Sequence, residues 1–337
     1  MLTFVLLGLL SFDPAATERA LKHPEGRLGA LQQLFLLDFV ALQTARHSSV
    51  SQSVVAVALD LDAELDERVL AIRSLSLLKA EDVAHQLGVL FTTPAGVEQT
   101  ILAREAARTL YQMGAHPLLT QGLAHPDPEV RTLAARSGAG GAFLCTLLRS
   151  DPWPMVRAGA AEGLLVVPDG HTCIAHGLQD ADEQVIRSTA KTLGELRVKS
   201  TIRSLQKLVK NTSRSLDTRI TALRALVAMG EFTLAQKILA THLKHGGFVS
   251  LTKAAVLALS NSHIPTEAYM GARASASPQV RLTLARVLSQ RDDDESRETV
   301  RQLLKAAPAQ HRSIIRQWVT QSTIDHNHEP EIIDDDQ

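Results

Sequence analysis

The amino-acid sequence predicts an all-α fold, an array of about ten helix-turn-helix repeats. Three observations predict it. The 337 residues are 45% hydrophobic but only 4% aromatic, so the core is built from Leu, Val, Ile and Ala, which suits closely packed helices better than β-sandwiches. A spacing rule recurs along the chain: an Arg, an Ala three residues on, and a Leu-like residue seven on. The turn ahead of each Arg is also repeated, and it is rich in Asp, Ser and Pro.

The register runs through Arg27, Arg68, Arg104, Arg131, Arg157, Arg187, Arg219, Arg281 and Arg312, with Thr252 in the Arg place within "LTKAAVLAL". Steps range from 26 to 41 residues and average just under 32. The third position after the Arg is Ala30, Ala71, Ala107, Ala134, Ala160, Ala190, Ala222 or Ala255, with Leu284 and Ile315 in the last two units. The seventh is Leu34, Leu75, Leu164, Leu226, Leu259, Leu288 or Val319, with Tyr111, Gly138 and Gly194 as exceptions. Offsets of three and seven lie on one helical face, and the small middle residue is a notch that lets a neighbouring helix approach. Ahead of each such helix lies a shorter apolar run: "LLTQGL", "FLCTLL", "IAHGL", "IRSLQKLV", "AQKILATHL". These read as the first helix of each unit.

The connecting turns read "HPEG" (23–26), "HPDPEV" (125–130), "SDPWPMV" (150–156), "DADEQVI" (180–186) and "SASPQV" (275–280). Asp and Ser cap helix N-termini, and Pro is tolerated at the first helical position. Glu129 and Glu183 fall in the first turn, where negative charge complements the dipole. The stretch "HPDPEVRTLAA" crowds His125, Asp127, Glu129 and Arg131 together. Its recurrence makes it one copy of the spacing rule, and not an active site.

The pattern D-x-x-V-R-x-x-A-A at 127–135 resembles the HEAT repeat, in the short bacterial HEAT-like form named after the phycobilisome lyases. "PWPMVRAGAAEGLL" (152–165) and "ADEQVIRSTAKTLGEL" (181–196) are similar to it. The resemblance covers residues 13–321. It implies a right-handed α-solenoid, an armadillo-like superhelix with the second helices lining a concave face. It also implies that Asp127, Arg131, Arg157, Arg187, Arg219 and Arg281 are structural, tying the turns of stacked repeats together. Residues 322–337 read as an acidic, disordered tail without helical periodicity.

Residues 1–12 begin with nine nearly all apolar residues, Leu2–Leu10. That is too short to span a bilayer. It fits the core of a secretory signal, although no Lys or Arg precedes it and no small-x-small site follows. The other reading is a helix capping the first repeat. A cytoplasmic location is the expectation, with export as the alternative. Cys145 and Cys173 make no disulfide framework in a chain this long and read as two small buried apolar side chains, with a single disulfide as the lesser reading.

The net charge of −1 hides an asymmetry. Residues 1–186 carry −8, residues 187–253 carry +10 and residues 254–337 carry −3. The basic belt includes Lys191, Lys199, Arg203, Lys207, Lys210, Arg214 and Arg224. It is either a site for an anionic partner or a solvated surface. Aromatic residues are scarce there, which argues against a base-stacking platform and leaves backbone contacts to duplex nucleic acid open. A second row, five residues after the repeat Arg, is mostly polar: Gln32, Arg73, Thr109, Arg136, Glu162, Thr192, Arg224, Leu257, Arg286 and Gln317. Arg73, Arg136, Glu162 and Arg286 are the candidate concave binding row. Trp153 lies between two prolines and either forms an exposed hot spot or packs over the adjacent turn.

No catalytic, cofactor-binding or metal-ligating set is assigned. His171 and His176 fall on different helix faces, His242 and His245 lack a nearby carboxylate, and His326, His328, Glu329 and Glu331 sit in the tail. "GAGGA" (138–142) lacks the strand before it and the Lys-Ser/Thr after it that a phosphate loop needs. The expectation is a monomeric, non-catalytic scaffold binding a protein or peptide along its concave face. The alternatives are an anion or nucleic-acid binder using residues 187–253 and a bilin-lyase-like modifying enzyme.

Overall fold

The repeat rule dictates two helices per unit, joined by a turn that breaks the first and caps the second. The computed structural model describes residues 12–325 apart from 47, 93–95, 246–248 and 261–268. The leader 1–11 and the tail 326–337, with His326 and His328, lie outside the described residues.

The chain divides after Gly177 into two compact units. In the first, α1 (Pro14–Lys22) pairs with α2 (Pro24–Leu34). An extra helix, α3 (Phe39–Arg46), precedes the pair α4 (Val50–Leu59) and α5 (Leu65–Leu78). This insertion accounts for the 41-residue step between Arg27 and Arg68. Next, α6 (Glu81–Ala84) continues into a 3-10 segment, His85–Phe91, that packs on α7 (Val97–Gln112). A second 3-10 segment, His116–Ala124, packs on α8 (Pro128–Arg136), and α9 (Phe143–Ser150) packs on α10 (Pro154–Gly163). The unit ends with α11 (His171–Ile174). The runs "LLTQGL" and "IAHGL", expected as α-helices, are 3-10.

The second unit opens with α12 (Glu183–Glu195). A 3-10 turn, Lys199–Thr201, leads into α13 (Ile202–Lys210), which pairs with α14 (Leu216–Ala228). The pairs α15 (Thr233–His245) and α16 (Val249–Leu259), α17 (Met270–Arg273) and α18 (Pro278–Leu288), and α19 (Asp294–Lys305) and α20 (Ala309–Asp325) follow. Among the described residues there is no strand.

Each unit is a two-layer α-solenoid. The second helices pack side by side, α2, α5, α7, α8 and α10 in one unit and α12, α14, α16, α18 and α20 in the other. The eight repeat alanines, with Leu284 and Ile315, are buried at these contacts. Two exceptions to the seventh-position rule have a packing cause. A Cβ on Gly194 would lie 2.8 Å from Ala225 Cα, so α12 and α14 need its bare backbone. Gly138 has φ +81°, a left-handed conformation that glycine adopts without strain and that turns the chain after α8.

Cys145 and Cys173 form a disulfide, with Cα atoms 5.7 Å apart. The expectation of two independent apolar side chains is therefore corrected. The bond joins α9 to α11, elements 28 residues apart that the repeat packing brings alongside each other. Trp153 is 51% exposed, the exposed one of its two expected placements.

Candidate functional site

The residues that look reactive in sequence are consumed in tying repeats together. Asp127 Oδ1 accepts the N–H groups of Glu129 and Val130 and caps α8. Its other oxygen takes Arg104 Nε at 3.0 Å from the preceding repeat. Arg131 ties this turn to that of the following repeat. Its guanidinium donates to the carbonyls of His125 and Pro126, both at 2.8 Å, and reaches forward to Asp151 at 2.9 and 3.2 Å. Arg157 donates to Asp151 O at 2.9 Å, and Arg281 donates to Ser275 O. Arg27 makes the same six-residue tie to Leu21 O, whereas Arg68 and Arg219 reach ten residues back to the carbonyls of Ala58 and Val209, and Arg312 five back to that of Ala307. Arg187 shows no such tie.

One regularity of these turns escapes the spacing rule. His125 Nδ1 and the side-chain oxygens of Asp60, Asp151, Asp180, Asn211 and Ser275 each accept a backbone N–H two residues on. These are Asx-type turns. Their signal in sequence is a short polar acceptor six to eight residues before the repeat Arg, obscured because the residue type varies.

The electrostatics match a structural role. Burial alone would raise the Asp127 carboxyl, but the bond from Arg104 and the α8 N–H groups more than offset it and hold the group below the ordinary carboxylate range. The Arg73 guanidinium does the same for Glu105. Burial pushes the His125 imidazole down, so the neutral ring that accepts the Asp127 N–H is the form the fold keeps.

The candidate concave row is likewise engaged in the first unit. Arg73 donates twice to Glu105, which also takes Arg108, and Arg108 continues to Glu129. Arg136 pairs with Glu162 at 2.6 Å. Thr109 and Thr192, expected to face solvent with the row, are buried. In the second unit Arg224 and Leu257 are exposed, and Arg286 lies 5.9 Å from the ring of Trp318.

The basic belt divides over two surfaces. Lys191, paired loosely with Glu195, and Arg224 lie on the exposed sides of the second helices α12 and α14. Arg214 is held by Glu183 at 3.3 Å. Arg203, Lys207 and Lys210 form one stripe on the exposed side of α13, with Lys199 exposed in the 3-10 turn just before it, and the opposite side of α13 buries Leu205, Leu208 and Val209. Among the described residues no three His, Cys, Asp or Glu side chains converge as metal ligands, and no helix is long and apolar enough to cross a membrane.

No protein-family model and no curated protein matches the chain. Among solved structures, YibA of Escherichia coli is similar with a TM-score of 0.46 and 18% identity over 77% of this chain and 96% of that one. A mutant of Kap121p gives a TM-score of 0.47 and 14% identity over 93% of this chain and 36% of that one. The CpcE–CpcF complex of the phycocyanin lyase from Nostoc sp. gives 0.33 and 17% over 81% and 94%.

Proposed function

We propose that this chain is a non-catalytic helical-repeat scaffold that binds a protein or peptide partner. One observation carries the reading. The His, Asp, Glu and Arg side chains that crowd the repeat turns are bound to backbone groups and to the next repeat, so they hold a platform in place and are not free to act on a substrate. Surfaces left with unused binding capacity include the exposed second-helix positions of the second unit, around Arg224 and Leu257, and the α13 stripe. No constellation among the described residues favours the lyase-type alternative. Mild crosslinking in the source cell followed by mass spectrometry should recover the chain with a discrete protein in fixed ratio; recovery of the chain alone would count against the scaffold.

The Cys145–Cys173 disulfide supports an oxidising compartment for this scaffold, since cytosolic thiols are kept reduced. Alkylation of freshly lysed cells tests this placement. A blocked, disulfide-bonded pair is expected, and two alkylated thiols would return the protein to a reducing compartment.

A further inference from the structure

Resting on the scaffold reading, we infer that α13 is a docking edge for an extended acidic segment of a partner protein. Arg203, Lys207 and Lys210 follow one another at intervals of four and three residues, so they stand on a single side of α13, and Lys199, four residues before Arg203 in the preceding 3-10 turn, extends the row. All four are exposed, and none has an ion-pair partner among the described residues. The segment from Lys199 to Lys210 contains no Asp or Glu.

The stripe is unlike the charges elsewhere in the array. On α19 the arginines are neutralised locally, Arg297 by Asp292 and Asp294 and Arg301 by Glu298. On α7 and α8 they are neutralised by the adjacent repeat. On α13 like charges stand one turn apart, an arrangement that destabilises a helix. Lys199 and Arg203 sit at its N-terminal end, where positive charge opposes the macrodipole, and Thr201 gives no side-chain cap there. Lys207 and Lys210, in the last turn, are placed favourably for the dipole. Two of the four cations therefore sit where the helix itself disfavours them, and an external anion relieves that.

The geometry selects the kind of anion. At about 1.5 Å per helical residue the row from Arg203 to Lys210 is about 10 Å long, and Lys199 in the preceding turn lengthens it. An extended peptide rises about 3.3 Å per residue and places every second side chain on one side, about 6.6 Å apart. That interval is close to the rise of a helical turn, so a run of five or six residues rich in Asp or Glu sets its carboxylates opposite successive cations. Duplex nucleic acid is the less suited occupant, because the remaining belt cations are on other helices and Arg214 is already held by Glu183.

The test uses the full chain and fluorescein-labelled octaglutamate, read by anisotropy at low salt. Binding is expected and should weaken by about tenfold or more in the variant Lys199→Glu, Arg203→Glu, Lys207→Glu, Lys210→Glu, as removal of four exposed ion pairs implies. Replacing the same four residues by Gln should give the same direction of loss, and its thermal melt checks that the fold is kept. Lys22→Glu, exposed on α1 in the first unit, should leave octaglutamate binding within about twofold, as a charge outside the contact does. Absence of octaglutamate binding, or binding by both variants as tight as by the unaltered chain, overturns the proposal. Binding of a duplex DNA probe through the same four residues without octaglutamate binding replaces it with a nucleic-acid edge. Either result leaves the scaffold reading standing if the cellular crosslink still yields a protein partner. If octaglutamate binds and no partner is recovered, the scaffold reading is the part that fails.

Discussion

Arg131 and Arg136 lie five residues apart on α8, and each bridges to an acidic residue of the next repeat, yet they should respond very differently to truncation. The Arg131 side chain is 11% exposed and its partner Asp151 4%. Arg136 and Glu162 are 34% and 32% exposed. Arg131→Ala removes two bonds to Asp151 and two to the carbonyls of His125 and Pro126. It leaves a buried carboxylate whose remaining donor is the Trp153 N–H. Breaking a buried pair by deleting one partner costs about 3–5 kcal/mol. In a unit of this size, with about 2–4 °C lost per kcal/mol, the melting temperature should fall by about 6–20 °C. Arg136→Ala removes a half-exposed pair worth about 0–1 kcal/mol and should move the melt by about 4 °C at most. Circular dichroism at 222 nm on both variants decides it. If Arg136→Ala costs as much as Arg131→Ala, the assignment of the repeat arginines as load carriers of the turns is wrong. The double variant Arg131→Ala, Asp151→Ala should cost less than the two single losses added together, because it no longer strands a charge.

Other consequences follow from the same structure. Replacing Cys145 and Cys173 together by Ser should cost about 3–4 kcal/mol, the chain-entropy value for a 28-residue separation, and the protein should show no reactive thiol, native or denatured, until a reductant is added. His125 has a folded pKa below its ordinary value. Its contribution is therefore complete above about pH 6.5 and is lost as the pH falls towards the folded value. The melting temperature should drop over this window, and His125→Asn, which keeps an acceptor for the Asp127 N–H, should flatten the drop. The lowered carboxyls of Glu105 and Asp127 add a second loss at lower pH, as the pH falls below about 4. Gly163→Ala should destabilise the first unit, because its Cβ would lie 1.9 Å from Ala135 O and force α8 and α10 apart. Gly29→Ala, in open space within α2, should stabilise by about 0.5–1 kcal/mol.

The architecture was legible because its causes are local and periodic. An Ala at every third position after an Arg can be seen without knowing what it touches, and the structure buries all eight such alanines between second helices. The turn chemistry was half legible. Asp127 and Asp182 cap α8 and α12 as their sequence implies, but Ser277 makes no side-chain cap to α18 and Trp153 takes the N-cap place on α10. The disulfide depends on two elements being brought alongside each other, which spacing does not report. The belt was legible as charge but not as surface. Summing residues 187–253 mixes Arg214, already paired, with cations on two layers. The separation of α13 from the rest appears only once burial shows which sides of the helices are free. The candidate row failed in part for the same reason, since Thr109 and Thr192 occupy row positions and are buried.

The measurement that bears most directly on the scaffold account is site-resolved photo-crosslinking in the source cell. A photoreactive residue is placed in turn at Arg203 and Lys207 on α13, at Arg224 and Leu257 on the exposed second helices, and at Gly96 and Glu25 as controls in the first unit. The account predicts adducts to one discrete protein from α13 or the second-helix positions and none from the controls. No adduct from any of the four test positions, or the same adduct pattern from tests and controls alike, would contradict it.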